Sequence, residues 1–161
     1  MSTDLSDKFC EMYARKYSDK IIFQRLKKKG YAGAARNVGL DYPIDCEYIL
    51  FVDSDDWLYN NMILMKMKQS IATNKFPLLI RMPMFHYYGQ NSKLNRFDRH
   101  ILPDKKTVFL NGPGPGRFCI SEKLKNIRFI ENRAKRNDVI WVLHCLDVVK
   151  PNEILSLDYC C

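Results

Sequence analysis

With 161 residues and a mass of 19.0 kDa the chain is the size of a single domain, and 47% hydrophobic with 27% charged residues is a globular composition that argues against disorder. No apolar run reaches the roughly 18 residues of a membrane span, and Met1-Ser2-Thr3-Asp4-Leu5 has neither the basic flank nor the apolar stretch of a secretory signal, so a cytoplasmic protein is expected, free or held at the inner face of the membrane. The 26 Lys and Arg against 18 Asp and Glu leave a net charge of +8, which suits acidic partners: nucleic acid, anionic lipid headgroups or phosphate-bearing small molecules.

Ser6 is placed to cap a helix over 7–17, where Phe9, Met12 or Tyr13, and Tyr17 recur at helical spacing. Ile21-Ile22-Phe23-Gln24-Arg25-Leu26 predicts a short strand, closed by the basic turn Lys27-Lys28-Lys29-Gly30. Ala32 to Leu40 is small and helix-favouring, with Gly33 and Gly39 allowing close approach of another backbone or a ligand. Tyr48-Ile49-Leu50-Phe51-Val52 is a continuous apolar run of the kind buried in a parallel sheet, and it ends at Asp53-Ser54-Asp55-Asp56. A helix from Asn60 to Asn74 and a strand from Leu78 to Phe85 follow. The next polar stretch yields only a strand at Thr107 to Leu110, before the loop Asn111-Gly112-Pro113-Gly114-Pro115-Gly116. Ser121 can cap a short helix to Asn126, Ile127 to Ile130 reads as a brief strand, and a last helix runs from Asp138 to Val149, stopped by Pro151. This alternation predicts one α/β domain with a mainly parallel sheet flanked by helices. Trp57 and Trp141 are assigned to core packing, and His86, His100 and His144 to no site. Six cysteines, Cys10, Cys46, Cys119, Cys145, Cys160 and Cys161, lack the paired spacings of a zinc site and read as reduced, mostly buried thiols.

Asp53, Asp55 and Asp56 lie at the carboxyl end of a buried strand, where open α/β sheets bind ligands. Like charges packed there need protonation or a cation, and Mg²⁺ or Mn²⁺ suits them, taking one or two carboxylates and completing its shell with water and phosphate oxygens. An Asp-rich turn that caps the next helix is the plain alternative. Gly30-Tyr31-Ala32-Gly33-Ala34-Ala35-Arg36-Asn37 enters a helix of small residues, flanked by Lys29 and Arg36, so a phosphate could approach closely. A tightly packed helix with a solvated Arg36 accounts for the same residues.

Taken together, the A-R-N-x-G-L segment Ala35-Arg36-Asn37-Val38-Gly39-Leu40, a short spacer and Glu47-Tyr48-Ile49-Leu50-Phe51-Val52-Asp53-Ser54-Asp55-Asp56-Trp57-Leu58 closely resemble family 2 glycosyltransferases of the GT-A fold. Ser2-Thr3-Asp4-Leu5-Ser6 resembles the tail of that family's D-G-S-x-D-x-S stretch. The match is dense from Ser2 to Leu64 and looser from Asn111 to Val149; the family's opening strands have no counterpart here, so a GT-A-like domain lacking its first strands is implied. The resemblance divides the chain into a donor and metal half, 1–75, and an acceptor half, 76–161. It implies transfer of a sugar from a nucleotide-sugar donor, a UDP-sugar, to a hydroxyl of a glycan, lipid-linked or polysaccharide acceptor, with inversion. By the same match, Asp53 lies by the donor ribose and the metal, Asp55 binds Mn²⁺ or Mg²⁺, and Asp56, Arg36, Asn37 and Lys29 assist donor binding. The late Asn137-Asp138 pair matches the family's base position, making Asp138 the general base, although an N-cap role explains it equally simply.

Two rivals stand beside this. A basic α/β module could bind nucleic acid or anionic surfaces through Lys27, Lys28 and Lys29, which accounts for the charge but leaves three aspartates at a strand end unexplained. A truncated, inactive transferase would keep the fold alone. Association into homo-oligomers is expected if an apolar strand at Ile21 to Leu26 lies at an open sheet edge.

Overall fold

The computed structural model describes residues 4–27, 30–43, 45–58, 60–82, 85–86, 96–97, 105, 118–132 and 135–157. Among the described residues the longer helices are α1 (Ser6–Lys16), α2 (Ala32–Asp41), α3 (Ile63–Thr73) and α4 (Asn137–Val148). A four-stranded sheet has the order β1-β5-β2-β6, with β1 at Tyr48–Leu50, β2 at Leu79–Arg81, β5 at Phe118–Ser121 and β6 at Ile154–Ser156. A separate two-stranded ladder pairs β3 (Phe85–His86) with β4 (Arg96–Phe97).

Strand direction and strand pairing give different answers about this sheet. β1, β2 and β6 run one way, but β5, which like β6 has no counterpart among the predicted strands, lies between β1 and β2 and opposes both, setting Leu50 against Cys119 and Arg81 against Phe118. Only β2 and β6 pair in parallel, Ile80 beside Leu155. The expected mainly parallel sheet is therefore a mixed one. Phe118 to Ser121 is buried throughout, so it carries no alternation from which its orientation could be read.

Side-chain alternation divides the interior into two cores. Leu79, Phe118 and Ile120, with Ile49 and Phe51, pack against Leu40 of α2 and Val139, Trp141, Val142 and Cys145 of α4. Ile80 and Cys119, with Tyr48, Leu50 and Leu155, pack on the other face against Ile63, Met67 and Ile71, which recur once per turn along α3. The carboxyl ends of β1, β2 and β6 and the start of β5 share one edge of the sheet. There β1 runs on through Phe51 and Val52 to Asp53.

Several predicted elements change. Ile21 to Leu26 forms no strand; Ile21 and Ile22 are exposed, and Arg25 is ion-paired to Asp7 of α1. A strand needs a ladder partner for its backbone groups, and among the described residues none lies beside this segment. The edge facing away from β5 belongs to β1, so the expectation of association through the 21–26 segment loses its premise. Ile127 to Ile130 is likewise not a strand. The segment predicted from Leu78 to Phe85 pairs in the main sheet only as β2. Ser6 does not cap α1; Leu5 occupies the cap position and the Ser6 N–H donates to Asp4 Oδ1 at 3.0 Å. Ser121 does act as a cap, accepting from the Lys123 N–H, for the short 3₁₀ turn Glu122–Leu124. Trp141 is buried as expected, whereas Trp57 is 64% exposed. The predicted strand at 107–110, the loop at 111–116, Lys29, Cys160 and Cys161 lie outside the described residues. No helix among the described residues is long and apolar enough to cross a membrane.

The small residues of α2 have a packing cause. A Cβ at Gly33 would stand 2.4 Å from the Ile130 carbonyl oxygen, so only glycine lets α2 lie against that backbone, while a Cβ at Gly39 meets nothing within 4 Å. Gly33→Ala should therefore destabilise the fold by about 1–3 kcal/mol through overpacking. Gly39→Ala should stabilise it by about 0.5–1 kcal/mol through helix propensity. Urea denaturation of the two variants checks the opposite signs.

Burial pushes the Cys119 and Cys145 thiols from an ordinary value near 9 up to about 12, so both stay protonated at neutral pH. Because the folded values are the raised ones, the protonated thiols contribute stability fully below about pH 9, and that contribution is lost as pH climbs towards about 12. Exposed Cys10 should react with a thiol reagent in the native protein, and Cys119 and Cys145 only as fast as the chain unfolds. Mass spectrometry of the labelled sites reads the difference.

Candidate functional site

Three segments distant in sequence meet at the carboxyl edge of the sheet: the end of β1, the middle of α2 and the start of α4. Aromatic packing joins them. Phe129 stacks on Trp141 of α4 with ring centroids 4.4 Å apart and planes 12° from parallel, and Phe51 meets both rings edge-on at 5.3 and 5.4 Å. The Trp141 Nε1–H donates to the Ile127 carbonyl at 2.8 Å, which fixes the indole in its slot.

Asn37 fastens α2 to this cluster. Its Nδ2 donates to the Phe129 carbonyl at 3.0 Å and to Glu131 Oε1 at 2.8 Å, and its Oδ1 accepts the Phe129 N–H at 2.9 Å. The side chain is buried and its amide is committed to protein groups, so these contacts give it a fastening part rather than the donor contact the resemblance implied. Arg128 reinforces the same junction, donating to the Asn37 carbonyl and to Asp41 Oδ2.

Arg36, one residue earlier, turns towards the edge. Its Nη2 donates to Asp53 Oδ1 at 2.7 Å, its Nη1 to Asn137 Oδ1 at 3.4 Å, and its guanidinium carbon lies 5.4 Å from the Phe129 ring centroid. The Arg36 side chain is 13% exposed and that of Asp53 42%, so solvent screening holds this pair to about 1 kcal/mol or less of stability. Its consequence is geometric: one planar group touches the strand-end aspartate and the first residue of α4.

Beyond Asp53 the chain turns sharply, the Asp56 N–H donating to the Asp53 carbonyl at 3.0 Å, and Asp55 and Asp56 are exposed. Asp138 follows Asn137 in the first turn of α4 and is half-buried. The helix begins from Arg136 in the left-handed region at φ 58°, whose side chain does not cap it; the capping alternative for Asp138 is thus not realised, since the cap position belongs to Arg136. Sequence reasoning singled out Arg36, Asp53 and Asn137 separately; their mutual contacts required the fold. It missed Phe129, whose only sequence signal is an aromatic between apolar neighbours.

Among the described residues no group of three His, Cys, Asp or Glu side chains is gathered as a ready metal cage. Mg²⁺ and Mn²⁺ do not require such a cage, since they keep water and phosphate oxygens in most of their positions and take only one or two carboxylates; Asp55 is exposed, and Arg36 uses one oxygen of Asp53.

Residues 1–119 match the family Glycosyl transferase family 2. The chain belongs to that family. It is 30% identical over 137 residues to the minor teichoic acid biosynthesis protein GgaB of Bacillus subtilis, an alignment covering 81% of this chain and 15% of that protein. It is 38% identical over 63 residues to the poly(ribitol-phosphate) beta-glucosyltransferase of Bacillus spizizenii, covering 39% of this chain and 10% of the relative. Among solved structures it is similar to S. aureus TarS 1–349, with a TM-score of 0.74 at 20% identity over 98% of this chain and 46% of that one. The chain thus spans 15% or less of the curated relatives it matches, and under half of TarS 1–349. The GT-A-like α/β fold implied by the sequence stands on this likeness.

Replacing Asn37 by Ala orphans the Phe129 N–H and carbonyl in a buried place. The variant should lose about 2–4 kcal/mol, since each unsatisfied buried group costs roughly 1–3 kcal/mol. Chemical denaturation followed by Trp141 fluorescence measures it.

Proposed function

We propose that this chain forms the donor and base portion of an inverting glycosyltransferase that moves a sugar from a UDP-sugar to a hydroxyl of a phosphate-bearing glycan or polyol polymer. The observation that carries this is the Arg36 guanidinium, which links Asp53, at the end of β1, to Asn137, beside Asp138. Two carboxylate-bearing segments with separate tasks are thereby held at one edge of the sheet. The names of the relatives support a teichoic-acid-like acceptor, and a net charge of +8 suits a polyanion of that kind. A place on the cytoplasmic side, against the membrane that carries such polymers, fits the same reading.

In this reading Asp55 holds the divalent metal, with Asp53 at its side and towards the ribose, and Asp56 supports the turn that presents them. When bound, the metal supplies Lewis-acid neutralisation of the charge that develops on the leaving diphosphate. Asp138 accepts the proton of the acceptor hydroxyl as its oxygen bonds to the anomeric carbon from the face opposite the breaking carbon–oxygen bond, which leaves with the nucleoside diphosphate. The basic nucleic-acid module remains the second reading only for the cationic surface. The exposed aspartates would repel a phosphate backbone unless a metal intervened.

Mn²⁺ and UDP together should raise the melting temperature of the wild-type chain, and Asp55→Ala should remove that increment while leaving the ligand-free melting temperature within a degree or so, because Asp55 is exposed. An unchanged response would reject the metal assignment. Asp138→Asn in the whole enzyme should keep UDP binding and lower transfer by about 10²- to 10⁴-fold, the usual share of a general base. Transfer near the wild-type rate would place the base elsewhere.

A further inference from the structure

Arg36 directs both terminal nitrogens of its guanidinium at protein groups. Nη2 is 2.7 Å from Asp53 Oδ1, Nη1 is 3.4 Å from Asn137 Oδ1, and the Phe129 ring lies against the flat face, leaving 13% of the side chain exposed. We propose that Arg36 is a positioning residue, which sets the spacing between the Asp53–Asp55 turn and Asp138 and does not ligate the donor phosphates. This rests on the transferase reading above.

The residues at either end need such a link. Asp53 is 42% exposed, and a carboxylate in that setting samples rotamers freely unless something directional holds it. At the other end, α4 starts from a left-handed Arg136 with no side-chain cap hydrogen bond. The contact between Asn137 and Arg36 ties its first turn, which carries Asp138, to the strand-end aspartate, while the buried face of the helix is held by the core. The guanidinium is suited to the task because it is planar and offers donors at a fixed angle, so two acceptors on different segments are held at a set separation. A lysine ammonium on a flexible stem can reach one acceptor but cannot fix the angle between two. The Phe129 ring, 5.4 Å from the guanidinium carbon, adds a cation–π contact on one side of the fork. A misplacement of about 1 Å between reacting groups costs on the order of 10²-fold in rate, so a weak polar link can have a large kinetic effect.

The test uses the ¹⁵N-labelled 161-residue chain with Mn²⁺ and UDP. In the wild type, Mn²⁺ should broaden the amide signals of the Asp53–Asp56 turn strongly and those of Asn137 and Asp138 to a lesser, reproducible degree. In Arg36→Lys the broadening at Asp53–Asp56 and the UDP affinity should stay within about threefold, while the broadening at Asn137 and Asp138 changes as their separation from the turn is released. Asn137→Ala cuts the same link from the other end and should give the same pattern if Arg36→Lys fails to fold. In the whole enzyme both variants should lower kcat by about 10²-fold with the donor KM unchanged, and the double variant should lose no more than either single one, because the two act as a unit. Unchanged broadening at Asp138 in both variants would overturn the proposal, as would a tenfold loss of UDP affinity in Arg36→Lys, the signature of a phosphate ligand. Absence of Mn²⁺ broadening at Asp53–Asp56 in the wild type would remove the donor-site reading itself, and this one with it.

Discussion

Phe129 stacks on Trp141 at 4.4 Å, receives Phe51 edge-on at 5.3 Å, and has both backbone hydrogen-bonding groups taken by the Asn37 carboxamide. That single residue therefore joins the end of β1, the body of α2 and the first turns of α4. Gly33 belongs to the same arrangement, since its missing side chain lets α2 lie against the Ile130 carbonyl. If the 127–130 segment moved, the strand-end aspartates and the start of α4 would lose their common reference. The site is positioned from below by burial and from above by one cation.

Division of labour between those two layers follows from exposure. Phe129 and Trp141 are 3% and 0% exposed, and deleting a buried aromatic of this kind costs about 3–5 kcal/mol. Arg36 pairs with a carboxylate that is 42% exposed, where screening leaves about 1 kcal/mol or less. The aromatic cluster thus holds the segments together, and the guanidinium chooses the angle at which their carboxylates present themselves. A residue can matter greatly to chemistry while contributing little to stability, because rate responds to displacement and stability to contact area.

How much of this could be read beforehand depends on whether the cause is local. The Asp53-Ser54-Asp55-Asp56 cluster, the small-residue helix entered at Ala32 and the Asn137-Asp138 start of α4 are each local patterns, and all three lie at the elements where the sequence puts them. What failed depended on partners. Ile21 to Leu26 has the composition of a strand, but no strand lies beside it among the described residues, and composition cannot supply one. β5 was missed altogether, because its four buried residues are a run too short to show a period and follow a loop of Pro and Gly. The same small residues of α2 suit a phosphate or a backbone carbonyl alike, and at Gly33 it is the carbonyl of Ile130 that occupies the space. Asn37 reads as a polar residue free for a ligand until Phe129, ninety-two positions away, is seen to use both ends of its amide.

The mixed sheet has a bearing on where chemistry can occur. In a sheet whose strands all ran one way, every carboxyl end would open on the same edge, and the loops there would all be departing loops. Here β5 enters at that edge, with Phe118 beside Arg81 and Cys119 beside Leu50. The start of β5 therefore shares the edge with the aspartate turn leaving β1. α4 then returns over the face carrying Phe51, Leu79 and Ile120, and Asn137 at its amino end accepts from Arg36, which also donates to Asp53. The aspartate turn after β1 and the first turn of α4 are joined there through one guanidinium. The reversal of β5, invisible to composition, is what sets the start of that strand at the same edge as the carboxyl ends of β1 and β2.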